Sequence, residues 1–173
     1  MPKKQIFSRQ VRTNKQVQAS LLFSLVFLAS PEFAFARKFT DSVRTVQLNA
    51  ARADVVLSPN QVRRGKFLFG KACASCHVGG LTKPNPNVGL DIKSLQVARP
   101  PKNNVANLIA YIIAPTTYDG LTDISDIHPC TKQSRLYTKV RSLTRFDCFC
   151  IGGHVLLQAK LLGEKWGGGK VYY

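Results

Sequence analysis

Methionine is almost missing from this chain: Met1 is the only one. Once the first residue is set aside, no thioether remains to act as a metal ligand. Acidic residues are scarce too, with nine Asp and Glu against 25 Lys and Arg, a net charge of +16. That imbalance first suggests nucleic acid or an anionic membrane as partner. No nucleic-acid module accompanies it, so nucleic acid has only the charge behind it and is set aside. Long apolar runs are absent. The best, Leu21–Ala29, is too short to cross a bilayer core of about 30 Å. There is one Cys-x-x-Cys and no second, which excludes a four-cysteine zinc site. Beyond that motif stand Cys130, Cys148 and Cys150, an odd set that makes no disulfide framework. No internal repeat is visible. What the chain does have is 45% apolar residues, enough for one modest core, so disorder is not the default.

The stretch around which the chain is organised is Lys71-Ala72-Cys73-Ala74-Ser75-Cys76-His77. Cys-x-x-Cys-His is the attachment pattern of c-type haem. Two sulfurs must emerge from one turn of backbone to reach the two vinyl groups of the macrocycle. The histidine that follows is carried under the iron, where its imidazole binds as an axial ligand. Cys73 and Cys76 are therefore expected to hold one covalent haem c, and His77 to ligate its iron.

The N-terminus reads as an address. Lys3, Lys4, Arg9, Arg12 and Lys15 form a basic region, Leu21–Ala29 an apolar one, and Ala34-Phe35-Ala36 a small-residue cleavage site. Residues 1–36 are expected to be a cleaved signal peptide. Cleavage after Ala36 removes those five basic residues and the acid Glu32, leaving a charge of +12.

Residues 37–57 read as an N-terminal arm. Val43–Leu48 and Ala53–Leu57 carry β-branched residues about a short polar link, the pattern of a small hairpin within otherwise non-helical chain. Residues 58–173 form the main domain. Ser58-Pro59-Asn60-Gln61 is a capping box with proline at the first helical position. Val62, Phe69 and Ala72 follow at helical spacing. Residues 78–90 hold three glycines and two prolines and read as loop. The stretch up to Pro100-Pro101 reads as irregular. Asn103 or Asn104 caps a helix through Val105, Leu108, Ile109 and Ile112, broken at Pro115. Thr144-Arg145-Phe146-Asp147 is a second capping box, with Leu143 and Cys148 as its hydrophobic staple. The last helix runs to Ala159 or beyond. Gly152-Gly153 inside it costs about 1 kcal/mol of helix propensity per residue. A close crossing by the Ser58 helix, which carries Gly65, would offset that cost. The tail, Trp166–Tyr173, is glycine-rich and ends in two tyrosines.

With methionine gone, the sixth iron position falls to His128, to His154 or to no residue. His154 sits in the last helix beside the glycine pair, where a partly buried histidine bonded to a backbone carbonyl is the plainer reading. His128 precedes Pro129, which fixes its local backbone. His77 and His128 are assigned as the axial pair, with an open sixth site as the alternative. Two imidazoles favour ferric iron, hence a low potential, and leave no vacancy for a substrate. That argues for electron transfer or a structural role, not for an enzyme.

These residues resemble the cytochrome c-550 family, the extrinsic lumenal cytochromes of photosystem II. The likeness is densest in Ala72–Gly80, Lys83–Asn87, Pro115–Gly120, Ile127–Pro129 and Gly163–Tyr173. The resemblance implies a mainly α, monohaem cytochrome c fold with a small N-terminal β-hairpin. It implies iron held by His77 and by His128, the latter matching the family's second axial histidine. It implies a peripheral position on the lumenal side of the thylakoid membrane, in an algal plastid ahead of a cyanobacterium. The partners implied are reaction-centre and inner antenna subunits and the other extrinsic oxygen-evolving subunits. There the family supports oxygen evolution and the retention of calcium and chloride; a diffusible lumenal electron carrier is the alternative role. The chain departs from the family in charge, since members are usually acidic to neutral. It departs also at Cys130, Cys148 and Cys150, where the family more often has small or apolar residues.

Overall fold

A computed structural model describes residues 40–132 and 138–167. The expected signal peptide and the end of the Gly/Tyr tail lie outside the described residues. The arm begins with one helical turn, α1 (Asp41–Arg44), where irregular chain is expected from sequence. The turn is held by local polar contacts. Thr45 Oγ1 donates to the Asp41 carbonyl at 2.7 Å, and the Arg44 guanidinium reaches both the Asp41 carboxylate and the Leu57 carbonyl. Two short strands follow, β1 (Thr45–Gln47) and β2 (Asp54–Val56), antiparallel with Val46 opposite Val55. This is the hairpin read from the β-branched runs, and Val46 turns into the core.

Helix α2 (Pro59–Ala72) starts on the expected capping box: the Gln61 amide donates to Ser58 Oγ at 3.2 Å and the Ser58 amide to Gln61 Oε1 at 2.7 Å. Two orphan donors are thereby satisfied. Its core face carries Gly65 and Phe69, both buried, with Val62 half-buried. The short helix α3 (Ile92–Val97) is a correction to the irregular reading of that stretch. Asp91 caps it through the Ser94 amide at 2.9 Å, and Leu95 anchors it in the core. Helix α4 (Val105–Ile113) is capped by Asn104, not Asn103, through the Asn107 amide at 2.9 Å. After the one-turn α5 (Thr138–Arg141) comes α6 (Arg145–Leu162), whose capping box forms as read.

Helix α6 is the centre of the fold. Ile151, Val155, Leu156, Leu157 and Ala159 are all buried, and Cys148 and Leu143 join the same cluster. A helix apolar on most sides needs cover on most sides, and α2 and α4 supply it. Each fully buried aliphatic side chain contributes roughly 1.5–3 kcal/mol. A polar tie joins α2 to α6: Arg64 Nε donates to the buried Asp147 carboxylate at 2.6 Å, and Asp147 also closes the Thr144 box. The crossing of α2 and α6 is close at Gly65, as expected, but the glycine pair is shared differently. Gly152 faces Leu108 and Val105 of α4, and Gly153 faces the Leu57 side chain. Two neighbours, α4 and Leu57, exploit the missing Cβ atoms on this helix, while Gly65 lets α2 approach it at Cys150.

Candidate haem site

The Cys-x-x-Cys-His turn is an extension of α2. The amides of Cys73 and Ala74 both donate to the Phe69 carbonyl, at 2.8 and 2.9 Å, and that of His77 donates to the Cys73 carbonyl at 2.9 Å. The winding continues for one more turn, so both sulfurs and the imidazole leave one short stretch of backbone. Cys76 is exposed and Cys73 half-buried. Burial pushes the Cys73 thiol up to about 12, with the Cys148 and Cys76 thiols adding to the shift. Cys73 therefore stays protonated at neutral pH and is no redox thiolate.

A loop folds back over this turn. Lys83 N–H donates to the Cys76 carbonyl at 2.9 Å, Leu90 N–H to the Gly80 carbonyl at 2.8 Å, and Gly167 N–H to the Gly79 carbonyl at 2.9 Å. Gly80 has φ +82°, and a Cβ there would lie 2.7 Å from both Gly167 N and the Trp166 ring. Only glycine admits that approach. Trp166 is buried against Phe69, with ring centroids 5.6 Å apart, and meets His154 edge-on at 6.1 Å.

His77 and His128 are brought together across a gap. Their ring centroids are 6.1 Å apart and their planes are inclined by 50°. His77 Nδ1 lies 3.1 Å from Thr82 Oγ1, which leaves Nε2 for the gap. His128 is set by a turn whose amide donates to the Ile124 carbonyl at 2.8 Å, and Tyr111 of α4 packs edge-on against its ring at 5.1 Å. Burial lowers the His128 pKa against an opposing Pro129 backbone contact, and Nδ1 has no hydrogen-bond partner among the described residues. Burial lowers the pKa of both rings. For His77 it falls to about 4, with His128 adding to the effect and a Leu81 backbone contact opposing it. Both imidazoles are thus neutral at ordinary pH, the form that binds metal.

These residues fit a c-type haem. Metal–imidazole bonds of about 2 Å on either side of one ion, plus the distance from each nitrogen to its ring centre, separate two centroids by about 6 Å. Among the described residues no group of three or more His, Cys, Asp or Glu is placed to hold a bare ion. A histidine pair alone is a poor metal site, whereas a macrocycle brings four ligands of its own. Val78 and Ile127, next to the two histidines in sequence, are 49% and 77% exposed. They offer apolar surface for a flat apolar group to cover. In such a site Cys73 and Cys76 would hold the macrocycle and His77 and His128 its iron. The group would supply a one-electron couple, and the protein sets its ligands and its dielectric.

His154 is elsewhere. It is buried between Phe69 and Trp166, at 5.2 Å from the former. Its Nδ1 lacks a hydrogen-bond partner among the described residues, so the expected bond from there to a backbone carbonyl is not made. Inside α6 the carbonyls belong to the helix's own ladder. Cys148 and Cys150 are buried free thiols, and Cys130 is fully buried. Two residues of the site were not read from sequence: Tyr111, within the helix through Ile112, and Thr82, within the stretch read as loop. Neither belongs to a recognisable motif.

Comparison with known proteins places this geometry in context. A model of the cytochrome c-550 domain matches residues 37–173. "Photosystem II extrinsic protein V" of Emiliania huxleyi is 48% identical over 160 residues, covering 92% of this chain and 98% of that protein. Its namesake in Synechococcus elongatus is 48% identical over 168 residues, covering 97% and 99%. The crystal structure of cytochrome c549 aligns with a TM-score of 0.72 and 42% identity, over 73% of this chain and 98% of that one.

Proposed function

The chain belongs to the cytochrome c-550 family, has its mainly α cytochrome c fold and carries covalent haem c; on that premise we propose that it is a low-potential, bis-histidine extrinsic subunit of photosystem II. In this reading Cys73 and Cys76 form the two thioethers, and His77 and His128 hold the iron. The observation that carries it is the facing pair of imidazoles, 6.1 Å apart beside the attachment turn. A pair so placed would hold the iron between its two rings and leave no site for a substrate there. The role is therefore structural or electron-transferring, not catalytic. Two imidazoles without a thioether support a low potential.

Residues 1–36 are read as a signal peptide that takes the chain to the thylakoid lumen. The family match begins at residue 37, which supports that boundary. No helix among the described residues is long and apolar enough to cross a membrane, in keeping with a peripheral subunit. Its partners would be reaction-centre and inner antenna subunits and the other extrinsic subunits, and its effect the stabilisation of the oxygen-evolving complex with its calcium and chloride.

The test is fractionation of native thylakoids, following the covalent haem band through a high-salt wash while oxygen evolution is assayed. The subunit reading expects the band to travel with photosystem II and leave on washing. Activity should then fall until protein, or calcium and chloride, is restored. A band that is soluble from the start, with activity indifferent to it, would put a diffusible lumenal electron carrier in its place.

A further inference from the structure

Among the described residues Lys102 is a buried charge without a counter-charge. Lys102 lies in the connection between α3 and α4, its backbone amide fixed by the Leu95 carbonyl at 2.7 Å. The residue is only 7% exposed. Its ammonium sits 4.8 Å from the centre of the Tyr111 ring. Among the described residues Nζ has no hydrogen-bond partner. Burial is the one influence on its pKa, which it lowers, so no carboxylate of the described chain stands close enough to oppose it. Lysine is almost never buried unpaired. Two other buried polar groups show the contrast. Asp147 has Arg64, and Asn104 caps α4. The face of Tyr111 offsets part of the cost, yet an ammonium has three N–H donors and a ring satisfies none of them fully.

The acceptor that suits a buried ammonium best is anionic, and here it would lie near Tyr111. That tyrosine packs edge-on against His128, which in turn faces His77. Lys102 is thus two contacts from the position where iron would be held. A haem has two carboxylates, its propionates, and they are the anions that such a site brings with it. We propose that Lys102 binds a haem propionate, its ammonium placed by the Tyr111 ring beside the sixth ligand. The inference rests on the reading of His77 and His128 as the axial pair. Its consequence is electrostatic. A buried positive charge near the iron favours the ferrous form, which carries one positive charge fewer, and so raises the potential from the low value that two imidazoles set.

The experiment compares the haem-loaded wild type with Lys102→Met and Lys102→Arg. Each midpoint potential is read in neutral buffer, where a carboxylate that has lost its partner stays ionised. A crystal structure of the haem-loaded wild type accompanies the titrations. The expected result is a lower potential for Lys102→Met, a value near wild type for Lys102→Arg, and a ferric spectrum unchanged in both. In the crystal, Lys102 Nζ should lie within hydrogen-bonding distance of a propionate oxygen. An unchanged potential in Lys102→Met with its spectrum intact overturns the proposal. So does a wild-type crystal in which Nζ reaches neither propionate and meets another carboxylate instead. Should Lys102→Met fail to fold around haem, the crystallographic contact still decides. A wild-type ferric spectrum without two axial imidazoles would count against the ligand pair, a separate failure that leaves the Lys102 contact to be read from the same crystal.

Discussion

Gly65 of α2 lies directly on the Cys150 carbonyl of α6: a Cβ at residue 65 would stand 2.8 Å from the carbonyl carbon and closer still to its oxygen. The His154 Cβ, one turn further along the same helix, is 3.0 Å away. The obstacle is helix backbone, which cannot turn aside as a side chain can. Gly65→Ala should therefore destabilise the protein by about 1–3 kcal/mol, the usual cost of overpacking. That is a net figure, since alanine gains about 1 kcal/mol of helix propensity over glycine. Thermal unfolding of the haem-loaded protein checks it. A melting temperature at or above wild type would show that the helices part without loss.

His128 and His154 make opposite predictions. If His128 completes the iron's coordination, His128→Ala opens one position. The ferric spectrum should then change entirely from low-spin to high-spin, and added imidazole should restore it. His154→Ala should leave the low-spin spectrum as it is, because that ring is packed between Phe69 and Trp166. Optical titration of the two variants separates them. A low-spin spectrum in His128→Ala before imidazole is added would remove His128 from the ligand set.

The caps of this fold were legible in the sequence because each is settled within four residues. Ser58 with Gln61 and Thr144 with Asp147 need no knowledge of the rest of the chain. The haem motif is equally local, and the single methionine narrows the sixth ligand by elimination. The limits of such reading are set by distance along the chain. Asp91 signals a cap for α3, but the helix is so short that its core contact at Leu95 decides its existence. Gly152 announces a close neighbour without saying which. That the neighbour is α4, and that Gly65 meets Cys150 instead, follows from crossing angles that no local pattern encodes. Lys102 and Tyr111 are nine residues apart with nothing to mark them, and their contact appears only once the α3–α4 connection folds back.

His154 also makes stability depend on pH. Burial, with Lys66 adding to it, lowers its pKa from 6.5 to about 4. In the unfolded chain the ring takes a proton near pH 6.5, while in the native state it resists until about pH 4. Its contribution is therefore complete above pH 6.5, is lost progressively as the pH falls to about 4, and is constant below. At 1.36 kcal/mol per unit the loss is at most about 3 kcal/mol. Asp91 and Asp147, whose carboxyl pKa values are held below the usual range, lose their share at lower pH and do not confuse this window. Urea unfolding of the haem-loaded protein at several pH values should show the slope, and His154→Gln should flatten it. An equal slope in that variant would assign the acid sensitivity to other groups.

Charge should decide how fast this protein finds its complex. Helix α2 carries Arg63, Arg64, Lys66 and Lys71 and no acid. Arg64 is engaged with Asp147, whereas Arg63, Lys66 and Lys71 are exposed. If residues 1–36 are removed, the remaining chain carries +12 and presents a strong field to any acidic surface it approaches. Between exposed charges that field is screened over about 8 Å at physiological ionic strength, so salt should act on encounter more than on the final contacts. Rebinding of the protein to salt-washed photosystem II membranes should slow as sodium chloride is raised. Reversing two charges, with Lys66→Glu and Lys71→Glu together, should slow it roughly tenfold or more at low salt and reduce the salt dependence. Both substituted residues are exposed, so the fold and the haem spectrum should survive. Association that is indifferent to salt and to charge reversal would mean that docking is governed by shape and apolar contact, with the basic charge playing no part in it.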